Sequence, residues 1–464
     1  MLDSVTDLRS ILKDPGLLPN KAYVAGEWVD AADGKTFAVT NPARGDIIAT
    51  VPDLTRADAA RAIAAADVAR REWAARTGKE RAQVMRKWFD LCMAAQEDLA
   101  TILTAEMGKP LAEAKGEIAY GSAYIEWFGE EAKRTYGEII PGHMRDKRIQ
   151  VLKQPIGVCA SITPWNFPNA MIARKVAPAL AAGCGFVARP AAETPLSAIA
   201  LAVLAERAGV PAGVFSVITS SRSSEIGKEF CENPAIRKLT FTGSTEVGRI
   251  LLRQAADQVL KCSMELGGNA PFIVFDDADL DAAVEGAMVS KFRNNGQTCV
   301  CANRIYVQAG VYDAFAQKLS AAVQKLAIGD GLTAGTTTGP LINESAVEKV
   351  QEHIADVLAS GGKILTGGKR HAHTATICDL SACTHDPLLA QVRYRLRKFH
   401  GAPKEGKKMG VACVSSPEPV ASAQGAAQDD NTLNCHGYGS LVTVTATFGL
   451  CAAGWVMDKL SQAM

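Results

Sequence analysis

Short apolar segments alternate with helical segments from residue 155 to about residue 368, and this alternation restricts the chain to few folds. Strand candidates lie at 158–162, 185–188, 215–219, 238–242 and 271–275. Helical runs at 170–182 and 194–208 follow the first two of these strands. Strands that alternate with helices form a parallel sheet wrapped by helices. The sequence therefore predicts an α/β fold.

The first 153 residues have a different pattern. Residues 23–29 read as a hairpin edge with Gly26 at its turn, and Thr55 to Asp58 form a capping box that opens a helical stretch reaching residue 136. At 137–153, two apolar strand candidates flank a polar turn, which predicts a second hairpin.

Length and composition exclude several classes of protein. A chain of 464 residues is too long for one core and predicts two or three domains. The net charge of +1, with no basic cluster interleaved with aromatic residues, argues against nucleic-acid binding. The N-terminus lacks the apolar core of a signal peptide, and the twelve cysteines form neither a CxxC pair nor a zinc-ligand spacing. We therefore expect a cytoplasmic protein without a metal.

Two motifs contain the groups that covalent aldehyde oxidation needs. Cys299 ends the segment FRNNGQTC (292–299), and Glu265 lies in MELGG (264–268). A thiol can attack a carbonyl carbon, and a carboxylate can activate water. Taken alone, Cys299 could be a buried cysteine near a helix start, and Glu265 a solvated surface group.

Both motifs, with their flanking residues, resemble the aldehyde dehydrogenase family from about residue 18 to residue 370. The resemblance implies that the Cys299 thiolate forms a thiohemiacetal, which expels hydride to a nicotinamide and becomes a thioester. Glu265, partly desolvated, would then activate the water that hydrolyses this thioester. Asn166 in TPWNFP (163–168) would donate to the oxyanion together with the Cys299 N–H. Cys301 is a packing residue or a thiol that traps oxidised Cys299 reversibly, and these alternatives stay open.

The cofactor site is expected at two further motifs. FTGSTEVG (241–248) follows a strand candidate and opens a helix, whose N-terminus is suited to a pyrophosphate. In RPAA (189–192), Arg189 replaces the usual Lys of the family, and Ala192 stands where a Glu would bind the ribose of NAD, so we expect NADP, with NAD as the alternative. The resemblance implies cofactor contacts from Pro164, Trp165, Asn166, Arg189, Ala192, Gly243, Ser244, Gly248, Glu265 and Leu266.

Two arginines indicate the substrate. Arg174 and Arg293 match the positions at which succinate-semialdehyde dehydrogenases of this family hold the distal carboxylate of their substrate. The resemblance therefore implies oxidation of succinate semialdehyde, as in the degradation of GABA. Glutarate semialdehyde stays open, because one methylene changes binding by only about 1–3 kcal/mol.

The domain expectations follow from the same resemblance. A Rossmann-like cofactor domain would comprise 1–136 and 154–261, an oligomerisation hairpin 137–153, and an α/β catalytic domain 262–370. The family's hairpin implies a homo-oligomer, a tetramer, with no membrane or nucleic-acid partner.

The resemblance ends abruptly, and residues 371–464 form an atypical tail. This tail lacks the family's Glu-Glu-x-Phe-Gly-Pro and Pro-Phe-Gly-Gly phrases, and Ser220 already replaces a usual Gly. The uncharged stretch 431–457 is too rich in Thr, Ser and Gly for a membrane span, and its segment 441–448 predicts a strand. We hypothesise a reading-frame change; the alternative is a divergent tail that still folds. A catalytically impaired protein is therefore a further possibility.

Overall fold

The computed structural model describes residues 7–366 and the short stretches 376–379, 397–398 and 412–415. The strand predicted at 441–448 lies outside the described residues. The helices are α1 (Arg56–Ala75), α2 (Gly78–Ala94), α3 (Gln96–Met107), α4 (Leu111–Glu131), α5 (Ala170–Ala181), α6 (Leu196–Ala208), α7 (Ser223–Glu232), α8 (Thr245–Ala256), α9 (Leu280–Phe292), α10 (Tyr312–Val323) and α11 (Glu344–Ala359). The strands are β1 (Ala22–Val24), β2 (Glu27–Val29), β3 (Thr36–Thr40), β4 (Ile47–Pro52), β5 (Glu138–Pro141), β6 (Arg148–Val151), β7 (Val158–Ile162), β8 (Gly185–Arg189), β9 (Phe215–Val217), β10 (Ile236–Gly243), β11 (Lys261–Leu266), β12 (Ala270–Val274), β13 (Ala302–Val307), β14 (Thr376–Asp379) and β15 (Ala412–Ser415).

The described residues belong to two compact units. The larger unit contains 7–274, 285–306 and 326–342. The smaller unit contains 275–284, 307–325 and 343–366, together with the short described stretches. Within the smaller unit, Lys318 on α10 donates to Asp281 at 2.5 Å, and β14 pairs antiparallel with β15.

The larger unit is built on a seven-stranded sheet of order β11-β10-β7-β8-β9-β1-β2. The strands from β11 to β9 in this order are parallel, whereas β1 and β2 are antiparallel additions at one edge. All residues of β7 and β8 are buried, as expected for central strands covered on both faces. The predicted α/β fold is confirmed.

The order of the strands creates a switch point. From β7 the chain adds β8 and β9 on one side and then places β10 on the other side of β7. Connections that leave in opposite directions open a crevice at the carboxyl ends of the two central strands, where ligands bind in sheets of this kind. The loops after β7 and β10 are therefore the expected position of a ligand site.

The predictions for the N-terminal part also hold. β1 and β2 pair through a turn in which Gly26 has φ +86°, and α1 begins at the capping box of Thr55 and Asp58. The hairpin predicted at 137–153 is formed by β5 and β6, and all residues of both strands are exposed. No helix in the described part of the chain combines the length and apolar character that a membrane span requires.

Candidate active site

The segment before Cys299 makes a tight turn at the end of α9. Asn294, Asn295 and Gly296 follow one another with φ of +56°, +58° and +73°. Asparagine and glycine tolerate this left-handed region better than other residues, which explains the local sequence NNG. The turn redirects the chain so that Cys299 becomes exposed.

Hydrogen bonds hold this turn in place. Asn295 receives the Gly339 N–H at 2.6 Å, and its amide donates to Pro340 O at 3.2 Å. The side chain of Gln297 donates to the same Pro340 carbonyl at 3.3 Å and accepts from Ile342 N at 3.0 Å. The turn before Cys299 is thus tied to the segment 339–342.

Cys299 lies beside the segment that carries Glu265. A Cβ placed on Gly268 would lie 3.8 Å from the backbone oxygen of Cys299, and Glu265 is three residues earlier in the same segment. Glu265 pairs in register with Thr242 near the carboxyl end of the parallel strand β10. The structure therefore brings the proposed nucleophile and the segment of the proposed base to one region.

Asn166 reaches the same region from the loop after β7. Its side-chain amide donates to Gln297 O at 2.9 Å, two residues before Cys299. Asn294 donates to both Gln297 O and Asn166 O at 3.1 Å. Because the Asn166 amide has two N–H groups, one of them remains for a ligand at Cys299.

A buried ion pair supports the loop of Asn166. Lys109 Nζ donates to Glu117 Oε2 at 2.5 Å and to Asn166 O at 2.9 Å, and both charged side chains are 1% exposed. Glu117 accepts the backbone N–H groups of Asn169 and Ala170 at 3.0 and 3.1 Å. Glu113, on the same helix, accepts the Asn294 N–H at 2.7 Å. Two acidic residues of α4, Glu113 and Glu117, therefore hold the backbone of the site in place.

The environment of Glu265 differs from the sequence expectation of partial desolvation. Its side chain is exposed among the described residues, because β11 is the edge strand of the sheet. The nearby Lys175 is buried and donates to Thr240 Oγ1 at 2.9 Å. Burial lowers the pKa of Lys175 to about 8, with Arg174 acting in the same direction and Glu265 opposing it. Lys175 is thus an interacting cation that the sequence interpretation missed.

The two arginines lie against aromatic rings, and Arg293 begins the turn before Cys299. The guanidinium carbon of Arg174 is 5.7 Å from the ring centre of Tyr124, and that of Arg293 is 5.7 Å from the ring centre of Phe167. Neither arginine forms an ion pair with a carboxylate within the part of the chain that the structure describes. Two cations without an acidic partner are available for an anionic ligand.

The expected cofactor residues lie at the switch point. Pro164 and Trp165 follow β7 and are half-buried, while Gly243 and Ser244 end β10 and begin α8. Ser244 caps α8 by accepting the Val247 N–H at 3.3 Å, and the first turn of this helix is exposed. A Cβ on Gly248 would lie 2.7 Å from Leu266, so glycine permits α8 to pack against β11.

Arg189 faces inward rather than toward solvent. It donates to Ser220 O at 3.0 Å and to the hydroxyl of Ser223, and its side chain is buried. Burial lowers its pKa, against the opposing effects of Glu193 and Asp53. Its Nε has no partner among the described residues, and Ala192, three residues later, is half-buried.

Cys301 is buried, unlike Cys299. Its sulfur accepts from Thr298 Oγ1 at 2.8 Å and donates to Lys291 O at 3.4 Å. The thiol would have to leave these bonds to reach an oxidised Cys299, and the trapping hypothesis stays a prediction. No cluster of metal-ligating side chains occurs among the residues that the structure describes.

Sequence interpretation missed the supporting residues. Lys109 lies in the loop between α3 and α4, whereas Glu117 and Lys175 lie within helices; in the sequence, all three look like surface residues. A usable signal was the spacing of Glu113, Glu117 and Tyr120, which places all three on one face of α4.

Known proteins are similar to most of this chain. A sequence model of the aldehyde dehydrogenase family matches residues 28–380. The glutarate-semialdehyde dehydrogenase of Pseudomonas aeruginosa is 65% identical over 381 residues, which cover 82% of this chain and 79% of that protein. The NADP(+) succinate-semialdehyde dehydrogenase of Escherichia coli is 61% identical, over 78% of this chain and 74% of that protein. A crystal structure of the succinate-semialdehyde dehydrogenase of Burkholderia pseudomallei has a TM-score of 0.77 and 61% identity, covering 78% of this chain and 75% of that one. The chain therefore belongs to the aldehyde dehydrogenase family of NAD(P)-dependent enzymes.

Proposed function

We propose that this protein oxidises a short aldehyde that carries a carboxylate at its other end, and that succinate semialdehyde is its substrate. The observation that carries the proposal is the pair Arg174 and Arg293, two cations without a carboxylate partner in the described residues. Both act electrostatically on Tyr120, and Arg293 begins the turn before Cys299. A guanidinium binds a carboxylate through two parallel hydrogen bonds, so this pair selects acidic aldehydes over neutral ones.

The chemistry begins at Cys299. Its thiolate adds to the aldehyde carbon, and the free N–H of the Asn166 amide stabilises the resulting oxyanion. Lys109 and Asn294 hold the Asn166 backbone carbonyl, and Asn166 itself donates to Gln297 O. The oxyanion donor is thereby positioned before the substrate arrives.

The residues of the switch point fit a dinucleotide. At the carboxyl ends of the adjacent strands β7, β8 and β10, three buried polar atoms lack a partner among the described residues: Thr163 Oγ1, Arg189 Nε and Thr242 Oγ1. The exposed N-terminus of α8 offers N–H groups suited to a phosphate. We propose that Pro164, Trp165, Ser244 and Leu266 complete this site. When bound, the nicotinamide accepts the hydride that the Cys299 adduct releases.

Glu265 completes the cycle. An exposed carboxylate on an edge strand can receive water, deprotonate it and direct it at the Cys299 thioester, which releases the acid. Lys175 lies within electrostatic reach of Glu265.

We propose NADP+ as the preferred cofactor, with NAD+ as the alternative. Support comes from Ala192, which stands where a Glu would bind the ribose of NAD and repel a 2′-phosphate, and from the E. coli relative, which is named as an NADP(+) enzyme. The inward orientation of Arg189 weakens the argument that this residue binds the 2′-phosphate directly. The ratio of kcat/KM for NADP+ to that for NAD+ tests the preference, and a ratio below one would contradict it.

Glutarate semialdehyde is the second candidate. The P. aeruginosa relative at 65% identity is named for that substrate. Both aldehydes present the same carboxylate to the arginines and differ by one methylene. Comparing kcat/KM for the two aldehydes separates the candidates.

The exposed hairpin supports a proposal about assembly. We propose that β5 and β6 mediate a homotetramer, because Ile139 and Ile149 on this hairpin are 79% and 40% exposed. We also propose that the protein is cytoplasmic, as expected from its sequence, and that it serves GABA degradation, which the proposed substrate supports. Light scattering of the wild type and of I139D/I149D tests the assembly. A tetramer that persists in the variant would contradict the role of the hairpin.

The atypical tail affects whether this chain is catalytically active. The family match ends at residue 380, within the segment 371–464 that was expected to be the atypical tail, and we propose that a reading-frame change replaced the native sequence of this tail. Resequencing the coding DNA tests this, since an alternative frame should encode the missing family phrases. If none does, a divergent tail is correct.

The deciding experiment is NADP+ reduction by the purified protein with succinate semialdehyde. We expect the wild type to be active and Cys299→Ala to abolish this activity. Cys262→Ala, which changes a half-buried cysteine in the same way, is the control and should retain the activity. Turnover that survives Cys299→Ala would refute the mechanism, and a wild type that binds substrate without turnover would support the impaired alternative.

A further inference from the structure

The face of α4 that points toward the arginines carries two phenol groups. The hydroxyls of Tyr120 and Tyr124 are 2.7 Å apart, and their rings meet edge to face with centres separated by 5.1 Å. Phe128 stacks on Tyr124 from the next turn of the helix. The three rings form a ladder at intervals of four residues, which fixes the orientation of the hydroxyl pair.

Close helix packing brings this pair to Arg174. A Cβ on Gly121 would lie 2.4 Å from the side-chain oxygen of Asn169, so α4 and the start of α5 are in tight contact at this glycine. Arg174 is one turn further along α5, where its guanidinium lies over the ring of Tyr124. Both Arg174 and Arg293 act electrostatically on the hydroxyl of Tyr120. Arg174 therefore contacts the tyrosine pair, and Arg293 lies within electrostatic reach of it.

We propose that Tyr120 and Tyr124 belong to the acid-binding subsite and that their hydroxyl pair donates a hydrogen bond to the distal carboxylate held by Arg174 and Arg293. This inference rests on the proposed function and adds a determinant of substrate choice to it. In the pair, one hydroxyl donates to the other, and the second hydroxyl proton remains free for the carboxylate.

The protonation of Tyr120 suits this role. Burial raises the pKa of Tyr120, and so does the neighbouring phenol of Tyr124, whereas the two arginines lower it. Because the raising effects prevail, the Tyr120 phenol stays protonated although both arginines act on it. A protonated phenol can donate a hydrogen bond to the carboxylate of the substrate. A phenolate would instead form an ion pair with the arginines and compete with that carboxylate.

The test measures binding without relying on turnover. Iodoacetamide alkylates Cys299, and succinate, the product of the proposed reaction, should protect the thiol by occupying the site. We expect Tyr120→Phe and Tyr124→Phe each to raise the succinate concentration for half-protection about tenfold, because hydrogen bonds to charged groups have that weight. Phenylalanine retains the ring ladder, so folding should be unaffected.

Matched variants make the outcome specific. Tyr136→Phe removes a hydroxyl from another exposed tyrosine and should leave protection unchanged, while Arg174→Ala with Arg293→Ala should nearly abolish it. If the arginine variant loses protection but both phenylalanine variants match the wild type, the inference is overturned and the proposed function stands. If succinate fails to protect the wild type, or still protects the arginine variant, both are overturned.

Discussion

The buried pair of Lys109 and Glu117 should be the most sensitive ionic contact of the site to substitution. Lys109→Met retains the length of the side chain but removes the charge that lies 2.5 Å from Glu117 Oε2. Glu117 then keeps its two backbone donors, at 3.0 and 3.1 Å, without a cation. Because both side chains are 1% exposed, water cannot compensate. We expect the free energy of unfolding to fall by about 3–5 kcal/mol, the cost of leaving one charge of a buried pair without its partner.

The protein supplies a matched control for burial. Lys133 and Glu130 form an ion pair with the same distance of 2.5 Å, but their side chains are 44% and 49% exposed. Lys133→Met should leave the free energy of unfolding unchanged within error, because water screens an exposed pair. The two variants differ in burial and not in chemistry.

Urea titration followed by tryptophan fluorescence measures both variants. The double variant K109M/E117Q removes the uncompensated charge and should recover part of the loss, and a double-mutant cycle gives the coupling between the two residues. Equal effects of K109M and K133M would refute the reasoning from burial. No recovery in the double variant would show that an unpaired charge is not the cause of the loss.

Three further predictions concern a titration, a helix contact and a turn. Burial raises the pKa of Glu106 to about 8, so the folded chain keeps a proton on this carboxyl that the unfolded chain releases above about pH 4.5. The free energy of unfolding should therefore fall as the pH rises from 4.5 to 8. The difference in Tm between the wild type and E106Q, which cannot titrate at this position, should decrease across the same window. A difference that stays constant would contradict this. Gly121→Ala should lower both Tm and kcat/KM, because the new Cβ would lie 2.4 Å from a side-chain oxygen at the start of α5. Gly116 lies on the same helix in open space, so Gly116→Ala should raise the free energy of unfolding by up to about 1 kcal/mol. Equal effects of the two variants would exclude the contact as the cause. Asn295→Ala and Asn20→Ala both place alanine near φ +57°, since the asparagines have φ of +58° and +56°, and this backbone effect should cost each variant about 1–2 kcal/mol. Asn295→Ala also removes the hydrogen bonds to Gly339 and Pro340, so it should lose more stability, and only this variant should reduce kcat/KM in steady-state assays. A loss of rate in both would point to a global effect.

Much of the architecture could be predicted from local patterns. The strands at 158–162 and 185–188, the capping box at Thr55 and the hairpin at Gly26 all occur where the sequence indicated. Each depends on neighbours within a few residues, such as an apolar run, a side-chain cap or a residue that accepts positive φ. The roles of Cys299 and Glu265 could be predicted only from the resemblance to a family, because the two residues lie in separate motifs and no local pattern links them.

Other features depend on how distant segments meet. The chain separates Lys109 from Asn166 by 57 residues, and their contact exists only because α4 packs against α5. The inward orientation of Arg189 and the exposure of Glu265 likewise follow from their surroundings: the serines after β9 bind the arginine, and the edge position of β11 leaves the carboxylate open.

The amino-acid order alone therefore settled which segments become strands and helices and which residues carry reactive groups. Tertiary packing decided which of those groups are buried, which charges find a partner and which two phenols face the arginines. The physical reason is that conformational preference acts between near neighbours, whereas desolvation and ion pairing depend on every segment that packs around a group.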